Sequence, residues 1–266
     1  MPENNLFDIK KRINAAMQTR KITRTMELIA SSRLQRNKVL LANYQEWLAH
    51  MREAAMCLPN SYFEAPADPK NAKKAYIVFG GSKGLSGAYS PNLLQFAKPI
   101  VEGHIILAVG SATEVFFPDA YSFLGDEIPS ADYSKSITQT ARTLYENHET
   151  AEVYMLYTRK SKHVVEQLFP LIRLEAHSKK IYVEPSSKVL FPALFEEYSE
   201  SVVYEAHLQA FISEQVARIS AMDTATRNAD EIIDGLQAMY NRIRQASITQ
   251  EIISVSNTVK GGESKW

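Results

Sequence analysis

The chain has 266 residues, 45% of them hydrophobic and 23% charged, with 30 Lys plus Arg against 30 Asp plus Glu. Those proportions fit a soluble globular protein, and the balanced charge excludes neither sign of partner but favours no nucleic-acid binder and no acidic tail. The single cysteine, Cys57, rules out an internal disulfide, no apolar run reaches the roughly 18 residues that span a bilayer, and MPENNLFDIKKR lacks the apolar core of a secretory signal.

From Leu6 to Leu58 there is neither glycine nor proline, and Pro59-Asn60 ends the run as a turn signal. Leu6, Ile9, Ile13 and Ala16, then Ile22, Met26 and Ile29, are helically spaced, which predicts one long amphipathic helix. Between Lys10 and Lys38 its outer face is basic, carrying Lys10, Lys11, Arg12, Arg20, Lys21, Arg24, Arg33, Arg36 and Lys38 against Glu27 alone. Aromatic residues are absent among these charges, so contact with acidic protein surfaces is favoured over a nucleic-acid grip.

Residues 60–72 form a linker by composition, with Pro66, Pro69, Asp68 and Asn71. The pattern then changes period. Ala75–Phe79 and His104–Val109 are short branched runs ending in glycine, and Glu152–Thr158 and Lys180–Val183 look similar. Between them Pro91–Val101, Tyr133–Asn147 and His163–Leu168 read as helices, so the stretch predicts an α/β domain with a largely parallel sheet. Pro185-Ser186-Ser187 closes it, with Ser187 as the N-cap of a final helix that tolerates Pro192.

In that final helix Met222, Ala225, Ala229, Ile232, Leu236, Met239, Ile243 and Ala246 recur with steps of three and four. This is the seam of a left-handed coiled coil. No proline follows Pro192, and Gly235 is the only glycine before Gly261, so the helix could run for about 60 residues, roughly 90 Å. From Glu196 to Glu251 acidic residues outnumber basic ones, so the acidic last helix and the basic first one are expected side by side. The expected fold class is α/β: a long antiparallel coiled coil of N- and C-terminal helices (1–58 and 187–260) with an inserted Rossmann-like α/β head (72–185).

Catalytic signals are weak. Gly80-Gly81-Ser82-Lys83-Gly84-Leu85-Ser86-Gly87 follows the first strand and could cradle a phosphate, but it fits neither phosphate fingerprint, and a turn needing positive φ is the plainer reading. Gly84-Leu85-Ser86-Gly87 is a loose nucleophile elbow with Asp126 and His163 in triad order, yet Ser86 lies too far beyond Phe79. The six histidines show no metal-ligand spacing. No catalytic, cofactor-binding or metal-binding residue is expected. Arg244, Gln245, Ser247, Thr249, Gln250 and Glu251 crowd the far helix end, as suits polar contacts that form and break against a surrounding surface.

Several strings carry a family resemblance: Asp8-Ile9-Lys10-Lys11-Arg12-Ile13, Lys21-Ile22-Thr23-Arg24-Thr25-Met26-Glu27, Ser213-Glu214-Gln215 with Ala217-Arg218, and Tyr240-Asn241-Arg242 with Arg244-Gln245-Ala246-Ser247-Ile248-Thr249-Gln250-Glu251. Lys83-Gly84-Leu85 with Gly87, and Tyr182 with Glu184-Pro185, add weaker matches. The chain thereby resembles the gamma subunit of F-type ATP synthase, the central rotor. The resemblance implies paired helices inside a hexamer of alpha and beta subunits, a foot on the membrane c ring, an attached epsilon subunit, and no transmembrane segment. It implies a peripheral protein on the cytoplasmic face of a bacterial membrane, non-catalytic by itself, coupling proton or sodium flow to ATP synthesis or hydrolysis. Met26, Arg218, Arg244, Gln245, Thr249 and Glu251 fall at positions tied to rotor–hexamer contact. The family carries Asp and Cys where Ser82 and Ser86 stand, and a second acidic residue and a Gly-Ala end where Ser254 and Thr258 stand. The alternative is a coiled-coil scaffold with an α/β head, and a self-contained α/β enzyme comes third.

Overall fold

The structure, a computed structural model, describes residues 2–64, 73–123, 129–172, 184 and 186–262, with only the backbone described at 2–5 and 254–262. The chain divides into two compact units, Met1–Ile29 with Ile219–Trp266, and Ala30–Arg218. Helices α1 (Pro2–Ala55) and α5 (Ser187–Gly262) each contribute to both units.

The second unit is the α/β head. Its elements run β1 (Lys73–Phe79), α2 (Tyr89–Val101), β2 (Ile105–Val109), α3 (Ser111–Phe116), β3 (Tyr121–Phe123), α4 (Ala131–Glu146), β4 (Thr150–Arg159) and β5 (Lys162–Phe169). The sheet order is β3-β2-β1-β4-β5, parallel except for the antiparallel β4–β5 pair. The two-residue alternation of β1 explains the layering. Ile77 and Phe79 face a core with Ile137, Ala141, Val203, Ala206 and Ala210, while Tyr76 and Val78 face Leu94, Ala97 and Val101 of α2. Helices thus cover both faces of the sheet, and a strand buried on both faces reads as the continuous apolar run AYIVF.

Two local expectations are corrected here. His163–Leu168 is not a helix but most of β5, paired with β4 from Arg159↔Lys162 onward. Its Val164, Val165 and Leu168 match a helical spacing by accident, and the tight turn at Lys160 and Ser161, both at positive φ, commits the chain to a hairpin. The final helix begins at Ser187, so Ser186, whose carbonyl accepts from the N–H groups of Val189 and Leu190, takes the cap position. Helix α4, expected from Tyr133, begins at Ala131, with the Ser130 hydroxyl capping it by accepting from Tyr133 N–H at 3.3 Å. The expected strand at Lys180–Val183 lies outside the described residues.

The first unit is an antiparallel helix pair. Arg20 meets Asp230 at 2.9 Å, and Thr23 meets Thr226 at 2.8 Å, so the first helix advances as the last recedes. The seam this register builds differs from the expected one. On α5, Met222, Ala229 and Ile233 are buried and Thr226, Leu236, Tyr240, Ile243 and Ser247 are half-buried, stepping by four and three throughout. Ile232 and Met239, expected in the seam, are 55% and 49% exposed, whereas Ile233 is 4% exposed. On the first helix Leu6, Ile9, Ile13 and Ala16 turn inward as expected, but Thr23 then replaces Ile22, and Ile22 and Ile29 face out. Adjacent columns of a helix lie about 100° apart. With apolar residues at both 232 and 233, the column that closes is the one holding Thr226, whose hydroxyl meets that of Thr23.

Candidate functional site

At the carboxyl ends of β1 and β4 the strand order reverses direction, the place where open α/β sheets usually receive a ligand. Here the glycine-rich loop after β1 meets α5 of the same unit. The carboxylate of Glu214 accepts from the backbone N–H groups of Lys83 and Ser82. Arg218 donates to Glu214 Oε1 at 2.5 Å and to the carbonyls of Lys83 and Gly84 at 3.2 and 3.4 Å. The Ser213 hydroxyl donates to the Thr158 carbonyl at 2.8 Å, at the end of β4. Tyr89, opening α2, donates to the Ala210 carbonyl at 2.9 Å.

Gly81 is required by this approach. A β-carbon there would stand 2.5 Å from Ser90 Oγ and 3.2 Å from Glu214 Oε1. Burial pushes the Glu214 carboxyl up from its ordinary range, while Arg218 and the two loop amides pull it back down. Burial also raises the Tyr89 phenol, with the nearby Glu214 adding to the effect. The loop that resembles a phosphate cradle is therefore an anion cradle, and the anion is the chain's own.

The elbow reading finds no support in this geometry. Ser86 is buried, His163 stacks on Phe96 at a centroid distance of 5.1 Å, and its Nδ1 pairs with the Thr158 hydroxyl at 3.2 Å. Asp126 lies outside the described residues. Among the described residues no three His, Cys, Asp or Glu side chains come close enough to hold a metal ion.

Of the residues singled out by family position, Arg218 is buried in the loop cluster just described. Met26 is half-buried in the helix pair. Arg244, Gln245, Thr249 and Glu251 are exposed on α5, the Thr249 hydroxyl donating to the Gln245 carbonyl at 2.9 Å. By the register of the helix pair, Pro2 falls beside about residue 247, so α5 continues to Gly262 beyond the start of α1. This overhang carries the exposed Ile248, Ile252 and Ile253. Of the expected charge pairing between helices, Arg20–Asp230 is present, while Arg24 pairs with Glu27 and Arg227 with Asp223 on their own helices. Glu214 and Ser213 lacked an assigned role in the sequence, although the four-residue spacing of Glu214 and Arg218 was a readable sign of a helical ion pair.

These features define a class: a protein with a Rossmann-like head whose ligand crevice is closed by its own helix, and a coiled-coil unit with apolar positions left facing outward. Comparison with known proteins gives the family. Residues 5–260 match the model of the ATP synthase family. The ATP synthase gamma chain of Ruminiclostridium cellulolyticum is 30% identical, covering 95% of this chain and 97% of the relative. That of Exiguobacterium sibiricum is 32% identical over 94% and 96%. The sodium-ion-specific ATP synthase gamma chain of Acetobacterium woodii is 31% identical over 97% and 98%. A rotor chain of the Euglena gracilis mitochondrial ATP synthase, 15% identical, superposes with a TM-score of 0.67 over 92% of this chain and 99% of that one, a likeness of fold. The chain belongs to the ATP synthase gamma-chain family.

Proposed function

We infer that this chain is the central-stalk rotor subunit of a membrane-bound F-type ATP synthase, turning inside an alpha/beta hexamer and coupling ion flow through a c ring to ATP synthesis or hydrolysis. The observation that carries the reading is the single family match running through both helical ends and the head, residues 5–260. The self-filled crevice fits a subunit that transmits force and leaves nucleotide chemistry to its partners, so the chain is non-catalytic by itself. No described helix is long and apolar enough to cross a membrane, which fits a peripheral position, on the cytoplasmic face and with an epsilon subunit attached. The domains serve this division of labour: 1–58 and 187–260 as the turning helices, 72–185 as the head.

Arg244, Gln245, Thr249 and Glu251 line the exposed end of α5 and contact the hexamer there, with the apolar overhang as bearing surface. Met26 contributes from the first helix. Arg218, being buried, acts on coupling through the loop it holds. Replacing Gln245 and Thr249 together by Ala should leave helicity unchanged and weaken assembly or ATP-driven ion pumping. Wild-type pumping by the double variant would remove these two residues from the contact set.

The function itself is tested by pulling the tagged chain from its native membranes after mild detergent extraction. Alpha- and beta-sized partners with ATPase activity should elute with it. Elution alone or as a homodimer would indicate a scaffold.

A further inference from the structure

Sheets with this strand order receive anionic ligands at the reversal point, held by backbone N–H groups of a glycine-rich turn. In this chain the turn is intact, and the amides of Ser82 and Lys83 converge on the Glu214 carboxylate. Glu214 is 3% exposed, and Arg218 closes over it while also gripping the carbonyls of Lys83 and Gly84. The outer rim of the same loop is unusual. Leu85 is 61% exposed and sits at φ +66°, a left-handed conformation that crowds the β-carbon of a side-chain-bearing residue. A strained, outward-facing tip persists only where its surroundings fix it. The contacts beneath it on α5 are those of Glu214 and Arg218.

We propose that Glu214 is a positioning residue that occupies the anion site of the head as an internal ligand, fixing the Lys83–Leu85 tip to α5. The backbone amides donate, the carboxylate accepts, and the guanidinium of Arg218 neutralises the buried charge. A small free carboxylate has the same chemistry and fits the space that truncation of Glu214 would open. The effect on coupling rests on the rotor reading; the effect on the loop does not.

Two readouts test this. In the full-length chain, Glu214→Ala should speed hydrogen exchange at the Ser82 and Lys83 amides roughly tenfold or more, since hydrogen bonds to a charged acceptor are lost. Acetate at tens of millimolar should restore protection, and chloride at equal ionic strength should not. In the complete synthase, assembled with its membrane c ring and sealed into vesicles, ions pumped per ATP hydrolysed should fall with Glu214→Ala and recover with acetate. Glu214→Gln, which keeps the shape and removes the charge, should show the same loss more mildly and stands in if the alanine variant does not fold. Wild-type exchange at Ser82 and Lys83 in either variant would overturn the proposal, as would a loss in Glu214→Ala that acetate leaves untouched. A wild-type chain that yields no ATPase with its partners would refute the rotor reading while leaving the exchange result to decide this one.

Discussion

Replacing Ile233 by Asp should unfold the antiparallel helix pair, whereas the same change one residue earlier, Ile232→Asp, should leave it folded. The two isoleucines are neighbours in sequence, but Ile233 is 4% exposed in the seam and Ile232 is 55% exposed on the flank. Removing a buried Ile forfeits about 1.5–3 kcal/mol of apolar burial, and placing an unpaired carboxylate there adds a few kcal/mol more. Against a typical total stability of about 5–15 kcal/mol, that loss is large enough to melt a two-helix unit. At position 232 the charge remains in water and should change stability by no more than about 0.5 kcal/mol. Its effect should fall instead on assembly, because the flank is the surface a partner would cover. Far-UV circular dichroism melts of the two variants, followed by co-purification with the alpha and beta subunits, check both halves. Equal melting temperatures would contradict this register, and a lower one for Ile232→Asp would return the seam to the column containing Ile232.

The second large effect concerns acid. His207 is buried between the rings of Phe79 and Tyr133, each at a centroid distance of 5.5 Å, and its Nδ1 has no hydrogen-bond partner among the described residues. Burial pushes its pKa down to about 3. The folded head therefore holds a neutral imidazole where the unfolded chain would bind a proton below its ordinary value of about 6.5. The unfolded state binds more protons between those two values, so stability rises with pH across that window and is fully present above about 6.5. Falling from pH 7 to pH 5 should cost about 2 kcal/mol through this residue alone. His207→Phe removes the titration. The stability difference between wild type and variant, from urea unfolding, should shift by that amount between pH 7 and pH 5. Parallel curves would mean that the imidazole is hydrated or paired in solution.

Too short to show a period, β3 and α3 left no sign in the sequence; β1, β2 and β4 were legible as apolar runs, the first two ending in glycine, and α2 and α4 by their helical spacing. β5 was not, since Lys162, Glu166 and Gln167 interrupt its alternation and its identity depends on pairing with β4. The coiled coil was legible as a period but not as a register. Ala225, Ile232, Met239 and Ala246 form as good a heptad column as Thr226, Ile233, Tyr240 and Ser247, and hydropathy alone favours the wrong one. The column that closes carries Thr226 against Thr23, and a polar pair across two helices has no signature in hydropathy. The loop after β1 was read as a turn needing positive φ, which it adopts at Gly87 and also at Leu85, whereas Gly81 is set by close approach to Ser90 and Glu214. Its ligand was hidden because it is a side chain more than 120 residues away, brought there only by folding.

The central claim, that the chain turns within a ring of ATPase partners, is tested most directly by watching it. A bead attached to the head of this chain, in an alpha–beta–gamma assembly fixed to a surface, should rotate in one direction when ATP is added and stop when it is withdrawn. A bead that stays still while the same assembly hydrolyses ATP would contradict the account.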